Sequence, residues 1–231
     1  MGKPKKLLAF ALALMLLLLP TGCKDKRNEE DVENEPFDAE QVSAQLNVEG
    51  YVLEEYTIYK DAVVLLVENT SLFGLDIHCE LTTYDEDGYV IDVHNEKQRA
   101  VAEGMETVFL FDYLEKFASY DYKLTVEEVP QEDIVMDQLS YDIAESKEHF
   151  TVNVTNGSAE TADEVRGYML YFDGDRLVDC VMQEHVSLEL VGLYAGESES
   201  AQYMKPKDNK HELLSYSSHK FILTGFYDPY L

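Results

Sequence analysis

The chain has 231 residues with 46 acidic against 18 basic side chains, a formal charge of −28. Phosphate binding needs clustered Lys and Arg, so nucleic acid is excluded as a partner, and anionic lipid surfaces or acidic polymers are repelled unless divalent cations bridge them. Hydrophobic residues make up 45%, enough for one large or two small cores, and the absence of Trp removes the flat indole platforms of many carbohydrate sites, leaving 16 Tyr for a weaker version.

The first 22 residues read as a leader. Lys3, Lys5 and Lys6 form a basic start, Leu7 to Leu19 is an apolar run, and small residues follow up to Cys23. Thirteen residues at about 1.5 Å each fall short of a bilayer core of roughly 30 Å, so cleavage is expected rather than a spanning helix. The "LPTGC" ending resembles a bacterial lipobox, with Pro20 where that motif usually has leucine. The resemblance implies a lipid on Cys23 and location on the extracytoplasmic face of the cell membrane, lipid-anchored. Two or more acyl chains would make that anchor stable.

Taking the three leader lysines from 18 basic residues leaves 15 against 46 acidic, a formal charge of −31 for the mature chain. Residues 23–40 carry 11 charged side chains and predict an acidic, disordered tether, because so few apolar groups cannot offset chain entropy. Residues 38–46 predict a helical turn capped by Asp38, and residues 209–216 another.

Beyond the tether the sequence predicts strands. "AVVLLV" (62–67), "DIHCELTTY" (76–84), "ETVFLF" (106–111) and "YKLTVEEV" (122–129) are short and β-rich. In the second, Ile77, Cys79 and Leu81 alternate with His78, Glu80 and Thr82, the pattern of a strand buried on one face. A second set follows: "HFTVNVTN", "VRGYMLYF", "RLVDCVM", "VSLELVGLY" and "HKFILTGFY". The two sets repeat. Val67-x-Asn69-x-Ser71 matches Val154-x-Asn156-x-Ser158, Asp92 matches Asp179, and Gly104 and Gly196 each precede a strand. Between these points Tyr84 aligns with either Tyr171 or Phe172. Two tandem antiparallel β-sandwich domains are predicted, 41–130 and 131–231, with a boundary near Pro130.

The order V-x-N-x-S, a strand ending in Tyr84-Asp85, then Asp87-Gly88, a "VID" strand and a glycine before an aromatic strand resembles the FxLYD-type and related immunoglobulin-like domains of bacterial lipoproteins. The resemblance covers both units. It implies an all-β, immunoglobulin-like fold and a surface location, with no catalytic residues to carry over.

Asp85, Asp87, Asp173 and Asp175 lie beside glycines and suggest either a weak cation site or tight turns. The spacing fails that of an EF-hand loop, and Asp87-Gly88 and Gly174-Asp175 suit hairpins, so turns are preferred. The six His show no paired metal spacing; His78 and His94 fall in strands, and His185 is expected at an exposed position. Gly196 to Ser200 lacks the second glycine of a nucleophile elbow and predicts an exposed loop. Three Asn-x-Ser/Thr sequons begin at Asn69, Asn153 and Asn156 and are read as chance matches. With Cys23 lipidated, Cys79 and Cys180 remain, one in each unit. Cys79 is expected as a buried free thiol, and the units as bodies not rigidly packed on each other.

Two functions follow as expectations. The first is a non-enzymatic envelope lipoprotein that recognises or positions an unidentified protein or cell-wall component, without a cofactor. The second is an accessory solute- or glycan-binding lipoprotein beside a transporter. A groove lined by several tyrosines would favour the second, and an exposed edge strand the first.

Overall fold

The structure, a computed structural model, describes residues 36–57, 60–185, 192–207 and 212–227. The leader, Cys23 and most of the tether therefore lie outside the described residues. Among those described, no helix is long and apolar enough to cross a membrane.

Phe37, four residues before the boundary expected at 41, already packs on the first half, its ring meeting Phe73 edge-on at 5.3 Å. Asp38 then caps the short helix α1 (Ala39–Ser43), its Oδ1 accepting the N–H groups of Glu40 and Gln41 at 3.0 and 3.1 Å. Val42 anchors that helix in the first core.

The rest is all β. Strands β1 (Asn47–Thr57), β2 (Lys60–Glu68), β3 (Gly74–Tyr84), β4 (Val90–Val101), β5 (Glu106–Leu114) and β6 (Ser119–Val129) form two antiparallel sheets, ordered β1-β2-β5 and β4-β3-β6. Strands β7 (Leu139–Glu145), β8 (His149–Asn156), β9 (Glu164–Asp173), β10 (Arg176–Glu184), β11 (Ser198–Met204) and β12 (Ser218–Phe226) repeat the plan as β7-β8-β11 and β10-β9-β12. The predicted antiparallel sandwiches are present in both halves. Strands β1 and β7 were not among the predicted runs, and β7 is exposed along nearly its whole length; the strand expected after Gly196 is β11, a mostly polar strand that takes in Ser198 to Ser200, where an exposed loop was expected. Of the stretch expected as a strand at 186–194, residues 186–191 lie outside the described residues, and Leu193 makes only a bridge to Ala162. The expected turn at 209–216 also falls partly outside, and residues 212–216 contain no helix.

Three apolar clusters set the layering. The first lies between the two sheets of the first half and holds Val63, Leu65 and Val67 of β2 against Ile77, Cys79 and Leu81 of β3. The second fills the second half, with Val152 and Val154 of β8 against Met169 and Tyr171 of β9. The third was not anticipated. Ala62, Val64 and Leu66 of β2, with Val108 of β5, pack on Tyr168 and Leu170 of β9, Cys180 of β10 and Ile222 of β12. The sheets therefore stack in four layers, β4-β3-β6, β1-β2-β5, β10-β9-β12, β11-β8-β7, within a single compact unit spanning Phe37–Leu231.

This corrects the expectation of loosely linked modules. Strand β2 is buried along its length on both faces, whereas β8, in an outer sheet, alternates strictly. At about 1.5–3 kcal/mol per fully buried aliphatic side chain, parting the halves costs on the order of 10 kcal/mol. The connection is packed as well: Ile134 and Met136 enter the first core and Val135 the second.

Candidate functional site

The residues that recur between the halves were the first candidates, and each is engaged in local structure. Asn69 is fully buried; its Nδ2 donates to the carbonyls of Phe73, Val101 and Ala102 at 2.7, 2.9 and 3.2 Å, and its Oδ1 accepts the N–H and O–H of Ser71. Asn156 repeats the arrangement, donating to Glu160 and Leu193 carbonyls, both at 2.8 Å, and accepting from Ser158. The motif fastens the end of one strand to the turn before another. That turn closes through Gly104 and Gly196, both at positive φ, whose N–H groups donate to the Asn69 and Asn156 carbonyls. The sequons at Asn69 and Asn156 are thereby closed inside the folded chain, while Asn153 faces outward and accepts from Ser200 Oγ at 2.9 Å.

Asp92 and Asp179 occupy one shared feature, a β-bulge. Thr83 pairs with Asp92 and Tyr84 with Val90, skipping Ile91; Tyr171 pairs with Asp179 and Phe172 with Leu177, skipping Val178. In each copy the aspartate Oδ1 accepts the next residue's N–H at 2.8 Å. The bulges fix the register left open by the sequence: Tyr84 corresponds to Phe172.

The acidic loops are turns. Asp85 Oδ1 accepts the N–H groups of Asp87 and Tyr89 at 3.0 and 2.8 Å, and Gly88 sits at φ +82°. In the second copy Asp173 pairs with Arg176 around the two-residue loop Gly174-Asp175, with Gly174 at φ +63°. Among the described residues, no group of three or more His, Cys, Asp or Glu is placed to hold a metal ion.

His185, expected exposed, is fully buried. Its Nε2 lies 2.7 Å from Tyr203 Oη and its Nδ1 3.4 Å from the Glu199 carbonyl. A carbonyl can only accept, so Nδ1 carries the proton and Nε2 accepts from Tyr203. Burial lowers the pKa of the ring, favouring this neutral form. Cys79 and Cys180 are free and buried; burial pushes the Cys79 thiol up to about 12 and raises that of Cys180 as well, so both are poor nucleophiles in the folded chain.

Several concave regions take residues from both halves, and one of them is a cleft of about 630 Å³ at their junction. Tyr56 and Leu53 line it from β1, Arg176, Leu177 and Asp179 from β10, and Lys207 from the connection between β11 and β12. Tyr56 Oη donates across the junction to the Cys180 carbonyl at 2.5 Å. Burial pushes the Asp179 carboxyl up to about 6, although the Cys180 N–H opposes this. Further ties surround the junction: Lys220 to Glu106 at 2.5 Å, Gln98 Nε2 to Tyr168 Oη at 3.3 Å, and Arg99 above the Phe226 ring at 4.0 Å. Arg99 stands in a bulge where it and Ala100 oppose the single residue Asp76, whose Oδ1 accepts the Ala100 N–H at 2.9 Å. Sequence reasoning named neither Tyr56 nor this role for Asp179. The available signal was "AVVLLV", apolar at every position where a one-sided strand would alternate.

The cleft is lined by one described tyrosine, short of the several that would favour a solute site. By contrast β7 is a sheet edge among the described strands and leaves Tyr141 and Ile143 46% and 38% exposed. No family model matches the chain, and no curated protein matches it. Among solved structures, red sea bream transglutaminase matches over 90% of this chain and 32% of its own, at 9% identity and a TM-score of 0.26, so the chain spans about a third of that protein's length.

Proposed function

We propose that the protein is a non-enzymatic lipoprotein, anchored through Cys23 on the extracytoplasmic face of the cell membrane, whose paired sandwiches form one fixed block for recognition or scaffolding. The observation that carries this reading is the use of the recurrent residues. Asn69, Ser71, Asp92 and their counterparts Asn156, Ser158 and Asp179 are held by backbone groups of their own half, so what the halves repeat is a framework. Recognition then falls to the faces and edges that this framework displays.

The anchor and the display are tested separately. Cys23→Ser should release the protein into the medium or leave an unprocessed precursor, and a normally processed, membrane-bound product would sink the anchoring claim. Photo-crosslinking residues placed at Asn153 or Glu80 on the outer sheets should give discrete adducts in intact cells, while one at Tyr56 should not. Adducts from Tyr56 alone would move the function into the cleft and favour a solute-binding role beside a transporter.

A further inference from the structure

We propose that the outer face of the β7-β8-β11 sheet is a binding surface for an uncharged, polyhydroxylated polymer, a neutral glycan chain. The assignment rests on the recognition reading above and names the partner class. Its centre is β8, whose residues Thr151, Asn153 and Thr155 point away from the core while Phe150, Val152 and Val154 point into it. In register beside them on β11 stand Gln202, Ser200 and Ser198. On the other side β7 contributes Ser140, Asp142 and Ala144.

This face is poorer in charge than the outer sheet at the other end of the stack. Charged residues make up 28% of the sequence, yet these nine positions hold a single charge, Asp142, on the edge strand. The sheet at the opposite end of the stack shows what a merely solvated face looks like here. Its outward rows, paired through His78, Glu80 and Thr82, carry Lys97, Lys123 and Asp121 besides Glu80. Solubility alone is served by charges of that kind, so it does not account for hydroxyl and amide groups spread over three strands.

The side chains are also held in place before any ligand arrives. Thr155 Oγ1 and Ser198 Oγ lie 2.7 Å apart, and Ser200 Oγ donates to Asn153 Oδ1 at 2.9 Å. Pleating sets such groups about 4.8 Å apart across strands and about 7 Å apart along them, a flat grid of donors and acceptors. A sugar chain presents hydroxyls that both donate and accept, and meets this grid without unpaired charge. Other partners fit worse. Protein interfaces draw on Tyr, Trp and Arg anchors and are depleted in Ser and Ala. Anionic polymers are repelled by the formal charge of −28, and cationic ones find carboxylates elsewhere on the surface.

Affinity electrophoresis suits so acidic a protein. The folded chain should be retarded in native gels containing at least one neutral polysaccharide among dextran, laminarin, galactomannan and glycol chitin, and not in gels containing hyaluronate. Asn153→Glu combined with Ser200→Glu should weaken binding about tenfold or more, because the ligand's hydroxyls then meet a desolvated charge. Thr82→Glu on the opposite outer face should change nothing. Asn153→Asp, nearly isosteric, provides a second variant if the double variant melts early. Retardation by none of the four polymers, or retardation that the charged variants leave intact, overturns the assignment. So does light scattering that shows a dimer lost in those variants, which would make the occupant a second copy of this chain. A protein anchored through Cys23 and crosslinked at Asn153, yet blind to all four polymers, would sink the glycan while leaving the recognition reading standing.

Discussion

Asn69 and Asn156 are fully buried, and each is hydrogen-bonded at both ends of its amide. Truncating either to Ala removes these hydrogen bonds, leaves a cavity and frees the serine two residues on, so urea unfolding should show a loss of about 2–4 kcal/mol for each variant. Asp179 gives a pH-dependent counterpart. Its folded pKa of about 6 lies above the ordinary carboxyl value near 3.9, so between these values the native state binds more proton than the unfolded one. Its contribution to stability is therefore full below about pH 4 and is lost as pH rises through about 6. Asp179→Asn should raise stability at pH 7.5 by about 1–3 kcal/mol and leave it unchanged near pH 4, read by thermal melting against wild type at each pH. His185 works in the other sense: its pKa is lowered by burial, so its contribution is present above about 6.5 and falls away as the solution is acidified.

At the scale of elements, the hairpin after β3 is closed by the Asp85 carboxylate and by Gly88. Asp85→Asn keeps the accepting oxygen and should be nearly neutral. Gly88→Ala meets no neighbouring atom, so its cost is conformational alone, about 1–2 kcal/mol from the positive φ. A chelator should leave the melting temperature of the wild type where it is, and a drop of many degrees would show that these carboxylates hold a cation after all. Much of this level was legible in the sequence. Alternation in β3, turn residues at Gly88 and Gly174 and the capping Asp38 are local signals, and each appears where the pattern placed it. Strand β7 was not legible and β11 was signalled only by the glycine before it, because exposed residues such as Ser140, Ser198 and Ser200 carry no apolar period. His185 misled for a related reason. A polar residue after Glu184 at the end of a polar stretch reads as solvated, and only the distant Tyr203 and Glu199 supply the partners that bury it.

For the whole molecule, the shared third core makes the halves unfold together. Differential scanning calorimetry should show one transition with equal calorimetric and van't Hoff enthalpies. The thiols report the same event from two places, Cys79 in the first core and Cys180 at the junction. Both should resist a thiol reagent in the native state and become reactive together in denaturant. Earlier labelling of Cys180 would mean that the junction opens while each half stays folded. Leu170→Asp, placing a charge in that junction, should split the calorimetric transition in two.

The stack joins two different faces of a repeated unit, and such a head-to-tail contact has no built-in end: each added copy would expose the face that receives the next. The same contact cannot add a further copy, because the outermost sheets are chemically altered at the joining positions. Where the first half presents Val64 and Leu66 to its neighbour, the second half has Thr151 and Asn153 at the corresponding places on β8. Where the second half presents Tyr168, Leu170 and Ile222, the first has Glu80, Thr82 and Lys123. A handful of side chains thus separates a discrete particle from an open filament, as the polar terminal repeats of solenoid proteins do.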